Sequence, residues 1–236
     1  MRRYVVDGTP LLSTERGAEA ATTLLSTLID RGRAGDAGIL VFEAIDANGP
    51  VSSYVTTAAR SLRLPIYVTS WSRPMVRRRD ELAYRSVHSG DTLGKLARKR
   101  RRLAEKFGGE VQDVDRSADA SAIEALIAME AAGWKAGTGG ALVSYPGEAE
   151  WFREMCDRFR SAGRLLVWTL QIGDSILAVE VMLRAGEGLF KLKMVHDENY
   201  DRYSPGIQLM LDNIDRFHDA TDAQWLDSCT YEGNTT

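Results

Sequence analysis

Residues 203–210 read YSPGIQLM, a Ser-Pro-Gly turn between a β-rich run and an apolar helical pattern. Ser204 suits a helix N-cap, Pro205 suits the first helical position, and Gly206 leaves the backbone uncovered. Two readings fit the junction. One is ordinary helix capping. The other is an anion cradle, since a strand leading to such a helix start leaves amide N–H groups pointing outward at the positive end of a helix dipole.

Just upstream, Ala185-Gly186-Glu187-Gly188 predicts a hairpin with a two-residue turn. That register sets Glu180 opposite Lys193 and Met182 opposite Lys191, all on one face. Val181, Leu183, Phe190 and Leu192 then form the core face. A carboxylate at Glu180 suits a general base acting on an amine or hydroxyl, or one half of a cross-strand ion pair. Arg100 falls on the apolar stripe of a predicted helix, between Leu96 or Ala97 and Leu103. A guanidinium there either snorkels at the stripe's edge or needs a carboxylate or phosphate partner.

Several chemistries have no motif here. There is no Walker loop and no G-x-S-x-G elbow, and GTGGAL does not fit a dinucleotide fingerprint. His88, His196 and His218 lack metal-ligand spacing with one another or with Cys156 and Cys229, so no metal is expected. The same two cysteines make no disulfide framework.

The elements that must position these groups follow from periodicity. Helices are expected over 15–29, 51–62, 91–107, 119–134, 148–161 and 204–219. Strands are expected over 39–45, 66–70, 110–114, 165–172, 176–184, 189–195 and 223–229, the three from 165 to 195 forming an antiparallel meander. The expected class is α/β with a mixed, mostly antiparallel sheet. Residues 1–72 read as a partial N-terminal α/β unit, 73–90 as a basic linker or arm, and 91–236 as a more complete domain. Net charge is −3, yet Arg73 to Glu110 carries 12 Lys or Arg against 5 Asp or Glu. This asymmetry points to an anionic partner or to a solvated helix face. RNA is one such partner, though no aromatic stacking ladder accompanies the basic helix. No apolar run approaches the roughly 18 residues of a membrane span, and MRRYVVDGTP has no secretory apolar region, so the expected location is cytoplasmic.

KLKMVHDENYDRYSPGIQLMLDNIDRFH resembles the strand, loop and helix of GNAT-superfamily acetyltransferases related to the cellulose-biosynthesis protein CelD, a group also likened to Fem-type aminoacyl transferases. TLGKLARKRRRLAEKFGGEV, MEAAGWKAGTGGAL with EAEWFREM, and LLVWTLQIGDSILAVEVML fit the same family in the same order, over roughly residues 90–232. The resemblance implies a GNAT fold and acyl transfer from acetyl-CoA or another acyl-CoA, splayed between two central strands, to an amine, hydroxyl or glycan acceptor. It places the donor pyrophosphate on Tyr203 to Gln208 and the thioester near Leu189–Val195. It brings the acceptor past Glu180, Lys193 and Asp227, the implied catalytic residues, with Arg100, Trp134 and Lys135 binding substrate. The alternatives it leaves are an aminoacyl-tRNA donor and a GNAT-like domain that only binds. The family's Arg/Gln-x-x-Gly-x-Gly/Ala signature is absent, Ser-Pro-Gly standing in its place. The family has a longer N-terminal half and continues past TYEGNTT, so truncation at both ends is also expected.

Overall fold

A computed structural model describes residues 9–35, 38–79 and 90–230. The chain divides between Ser72 and Arg73 into two compact units. In the first, α1 (Gly17–Arg33) packs on α2 (Pro50–Ser61). Ala21 and Leu25 meet Ala58 and Ala59, with Phe42, Tyr54 and Leu64 around them. The strands expected over 39–45 and 66–70 do not form. Ile39, Val41, Tyr67 and Val68 lie exposed in irregular chain. High β-propensity makes no strand without a neighbour to take its backbone bonds.

The second unit is a six-stranded sheet, ordered β1-β6-β5-β4-β3-β2. Its strands are β1 (Met75–Arg77), β2 (Val111–Asp115), β3 (Leu165–Ile172), β4 (Ser175–Ala185), β5 (Gly188–His196) and β6 (Trp225–Asp227). All pairings are antiparallel except β5 with β6, which is parallel. The segment read as a linker therefore supplies an edge strand. Three residues are too few to carry an alternation signal, and their order comes from pairing Val76 with Leu226. Residues 80–89 of that segment, and His88 with them, lie outside the described residues.

The helices are α3 (Gly90–Phe107), α4 (Ser121–Ala132), α5 (Trp134–Gly137), α6 (Glu148–Ser161) and α7 (Pro205–Ala220). One face of the sheet meets α7, through Met182, Leu189, Ile214, Phe217 and Leu226. Beside α7 on that face, Leu103 of α3 packs with Leu170, Ala178, Tyr203 and Leu209. The alternate residues Val167, Val179 and Val181 are fully buried on the opposite face, where α4 and α6 pack. The predicted stripe of α3 is only partly covered: Ala97 and Phe107 are exposed.

At the C-terminal end of α7, His218 is buried, and the Arg79 backbone N–H donates to its Nδ1 at 3.4 Å. Burial lowers its pKa, with Arg79 and Arg78 in the same direction and Asp219 and Asp215 opposing. The folded chain thus binds a proton at His218 less readily than the unfolded chain does. Its contribution to stability is present above the unfolded value of about 6.5 and is lost as pH falls through the folded pKa. Urea midpoints compared at pH 7.5 and pH 5 should fall more for the native chain than for His218→Leu. Equal falls would remove His218 from the account.

Candidate functional site

The hairpin turns where expected, with Ala185 opposite Gly188 and Gly186 at φ 55°. Further along, the register slips. Met182 pairs with Lys191, but Val181 pairs with Lys193 and Glu180 with Met194, leaving Leu192 unopposed. This bulge corrects the expectation that Glu180 faces Lys193 across the strands. Directly paired residues share a face, so Lys191 joins Met182 and Glu180 on the α7 side. Lys193 joins Val181 on the α4 side.

Each lysine finds a buried carboxylate. Lys191 Nζ lies 2.8 Å from Glu180 Oε1, and Asn213 Nδ2 donates to Glu180 Oε2 at 2.6 Å. Lys193 Nζ lies 2.8 Å from Glu130 Oε1, with Lys135 Nζ at 3.4 Å from the same oxygen. The backbone N–H of Leu142 donates to Glu130 Oε2 at 2.9 Å. Side chains of Glu130 and Glu180 are both 0% exposed. The structure thus gathers Lys193 and Lys135 around Glu130, a residue the periodicity assigns simply to helix. Trp134 is exposed, and its backbone N–H donates to Glu198 Oε1 at 2.6 Å, joining α5 to the turn before α7.

Arg100 meets the carboxylates its position demands. It donates to Asp212 Oδ2 at 2.7 Å, Asp113 Oδ2 at 3.0 Å and the Val111 carbonyl at 3.1 Å. Arg216 lies 3.2 Å from Asp113, donates to Asn213 Oδ1 at 2.7 Å and stacks 3.9 Å over Trp168. A polar chain therefore runs from Arg100 through Asp113, Arg216 and Asn213 to Glu180. Burial and the neighbouring Asp212 raise the Asp113 pKa, against the pull of Arg100 and Arg216. These bonds tie α3 to β2 and α7.

Asp227 ends β6, opposite Phe190 of β5. Its Oδ2 lies 2.8 Å from Arg73, and its Oδ1 accepts the Cys229 N–H at 2.8 Å. Burial beside Asp227 pushes the Cys229 thiol up to about 12, so it is no thiolate nucleophile at neutral pH. Past the Phe190–Asp227 pair the parallel strands part. Among the described residues no strand covers that edge of Lys191–His196.

At the far end of β5 stands the Ser-Pro-Gly turn. Ser204 is left-handed, φ 54° and ψ 52°, and its side chain caps no N–H of α7. Instead Lys99 Nζ donates to Ser204 Oγ at 2.7 Å. Helix geometry leaves the first N–H groups without intrahelical partners, here those of Gly206 and Ile207. A Cβ on Gly206 would meet His196 Nδ1 at 3.3 Å and Met194 Cε at 3.6 Å. The glycine thus lets the helix start abut the end of β5. Tyr203 and Gln208 turn inward, Gln208 Nε2 donating to the Tyr203 carbonyl at 2.8 Å, while Ile207 stays exposed. His196, held by Asp201 at 2.6 Å from Nε2, also borders this turn. Its spacing to Asp201 carries no periodic signal in the sequence.

A family model for the acetyltransferase (GNAT) domain matches residues 91–234. The chain belongs to this GNAT family. Solved structures agree with a GNAT domain at the level of the fold. FemX shares 12% identity at a TM-score of 0.54, over 95% of this chain and 71% of that one. A conserved protein of unknown function from Bacteroides thetaiotaomicron VPI-5482 shares 13% identity at a TM-score of 0.52, over 89% of this chain and 66% of that one. The GNAT chain thus spans about two thirds of that second structure's length. No curated protein matches it. Among the described residues of this GNAT chain no cluster of His, Cys, Asp or Glu is placed to hold a metal, and no helix is long and apolar enough to cross a membrane.

Proposed function

We propose that this chain transfers an acyl group from acyl-CoA to an amine or hydroxyl acceptor. The observation that carries the reading is the parting of β5 and β6 after Phe190 and Asp227, with the uncapped start of α7 at the far end of β5. A notch between parallel strands admits an extended thioester arm against unpaired backbone. The Gly206 and Ile207 amides suit the donor's diphosphate, with Tyr203, Ser204 and Gln208 shaping the turn.

The thioester carbonyl then lies beside Lys191 and Lys193, where the strands separate. A strand N–H stabilises the oxyanion as the acceptor attacks, with the Lys193 ammonium, fixed by Glu130, adding positive charge on the α4 side. The new bond to carbon forms, the C–S bond breaks, and the thiolate departs. Proton removal from the acceptor falls to Asp227 through water, Glu180 being turned to the α7 face and held there by Lys191 and Asn213. Arg100 supports this site at a distance, through Asp113, Arg216 and Asn213. Trp134 and Lys135 border the acceptor's approach from the α4 side. The acceptor belongs to cell-envelope or polysaccharide metabolism, as in CelD-like proteins, and the location is cytoplasmic. Residues 1–72 form part of a second GNAT-like half.

A second reading, an aminoacyl-tRNA donor, is favoured by the basic face of α3. A domain that binds without catalysis is a third. Thermal-shift titration with acetyl-CoA, longer acyl-CoAs and free CoA tests the first. A ligand at a hundredfold excess over its Kd stabilises the folded chain by about 2.7 kcal/mol. No shift from any of them, in a folded protein, would end the acyl-CoA reading.

A further inference from the structure

A groove of about 330 Å³ runs between α3 and the start of α7, lined by Thr92, Lys95, Leu96, Arg98, Lys99, Arg102, Ser204 and Ile207. Its four cations occupy one helical face at i, i+3, i+4 and i+7. Seven residues at about 1.5 Å each spread them over about 10 Å. Two of the four already have partners: Lys95 lies 2.7 Å from Asp91, and Lys99 donates to Ser204. Arg98 and Arg102 are exposed, and neither pairs with a carboxylate among the described residues. Leu96 and the exposed Ile207 give the same groove an apolar floor.

A diphosphate on the α7 amides leaves this charge largely unanswered. Arg98 and Arg102, one helical turn apart, call for a ligand with a further phosphate several ångströms from the first. An apolar floor within a cationic rim, at this volume, fits one nucleotide better than a polymer strand. We infer that Arg98 and Arg102 bind a second, separate phosphate of a nucleotide donor. On the acyl-CoA reading, upon which this rests, that group is the 3′-phosphate of the adenosine. These two arginines would then discriminate between otherwise identical donors.

The test compares CoA with 3′-dephospho-CoA by calorimetry, on the native chain and on Arg98→Ala/Arg102→Ala. Both positions are exposed, so the fold should tolerate the change. Loss of charge-assisted bonds should weaken dephospho-CoA roughly tenfold on the native chain. The double variant should bind both ligands alike, at the weaker affinity. Equal binding of the two ligands to the native chain would overturn the inference and leave acyl-CoA as the donor. Unchanged discrimination in the double variant would also overturn it. Binding of neither ligand would overturn the acyl-CoA reading and the inference with it. A short RNA hairpin bound in a salt-sensitive way, with CoA ignored, would replace both by a nucleic-acid site.

Discussion

Glu130→Ala should destabilise the second unit by about 3–5 kcal/mol, the cost of breaking a buried ion pair. The side chain of Lys193 is only 10% exposed, and without Glu130 its ammonium stays in the core without this carboxylate. The Leu142 N–H loses its acceptor as well. Glu124→Ala is the control. Glu124 pairs with Arg153 at 2.6 Å, but both side chains are over a third exposed, 55% and 39%. Solvent screens such an exposed pair, so its loss should shift the unfolding midpoint little. Denaturant unfolding followed by tryptophan fluorescence suits the comparison, because four of the five tryptophans fall after Ser72. Replacing both partners, as in Glu130→Leu with Lys193→Met, should recover much of the loss, since the buried Lys193 charge is then gone and Lys135, 30% exposed, can still reach water. If Glu130→Ala and Glu124→Ala unfold at the same denaturant concentration, the Glu130 pair is not the core element described here.

Gly206→Glu should weaken donor binding at least about a hundredfold, from about 3 kcal/mol of lost and repelled phosphate contact. On the acyl-CoA reading, a carboxylate at this helix start opposes the donor's charge on the same amides. Gly206 is buried against His196 and Met194, so the variant also strains the junction. Ile207→Glu separates the two effects. Ile207 is 48% exposed, so a glutamate there keeps the fold and still repels phosphate. Calorimetry with CoA should show both variants weakened, and circular dichroism should show Ile207→Glu folded. A folded Ile207→Glu that binds CoA as the native chain does would remove the phosphate from this helix start.

Much of the second unit could be read directly. The meander of β3, β4 and β5, the helix α6 and the start of α7 lie within a residue or so of where alternation, helical spacing and Pro-Gly punctuation place them. These signals are local, since each residue's environment there is set by neighbours a few positions away. The family resemblance also came from contiguous stretches, and the match over residues 91–234 agrees with its GNAT part.

What the sequence determined by itself was the set of elements, their approximate ends, and the few polar residues stranded among apolar ones. Arg100 and Glu180 stood out for that reason, and both proved paired inside the fold. The tertiary structure alone decided the partners. One unopposed residue, Leu192, sends Lys191 and Lys193 to opposite faces, and no propensity marks where a bulge falls. Glu130 reaches Lys193 from a helix more than sixty residues away in sequence, a distance over which no periodicity persists. Strand β1 exists because β6 offers it hydrogen bonds, whereas equally β-rich stretches in the first unit form no strand for want of such a neighbour. Side-chain spacing is a short-range property, while ion pairing and strand pairing depend on which surfaces the completed fold brings within a few ångströms.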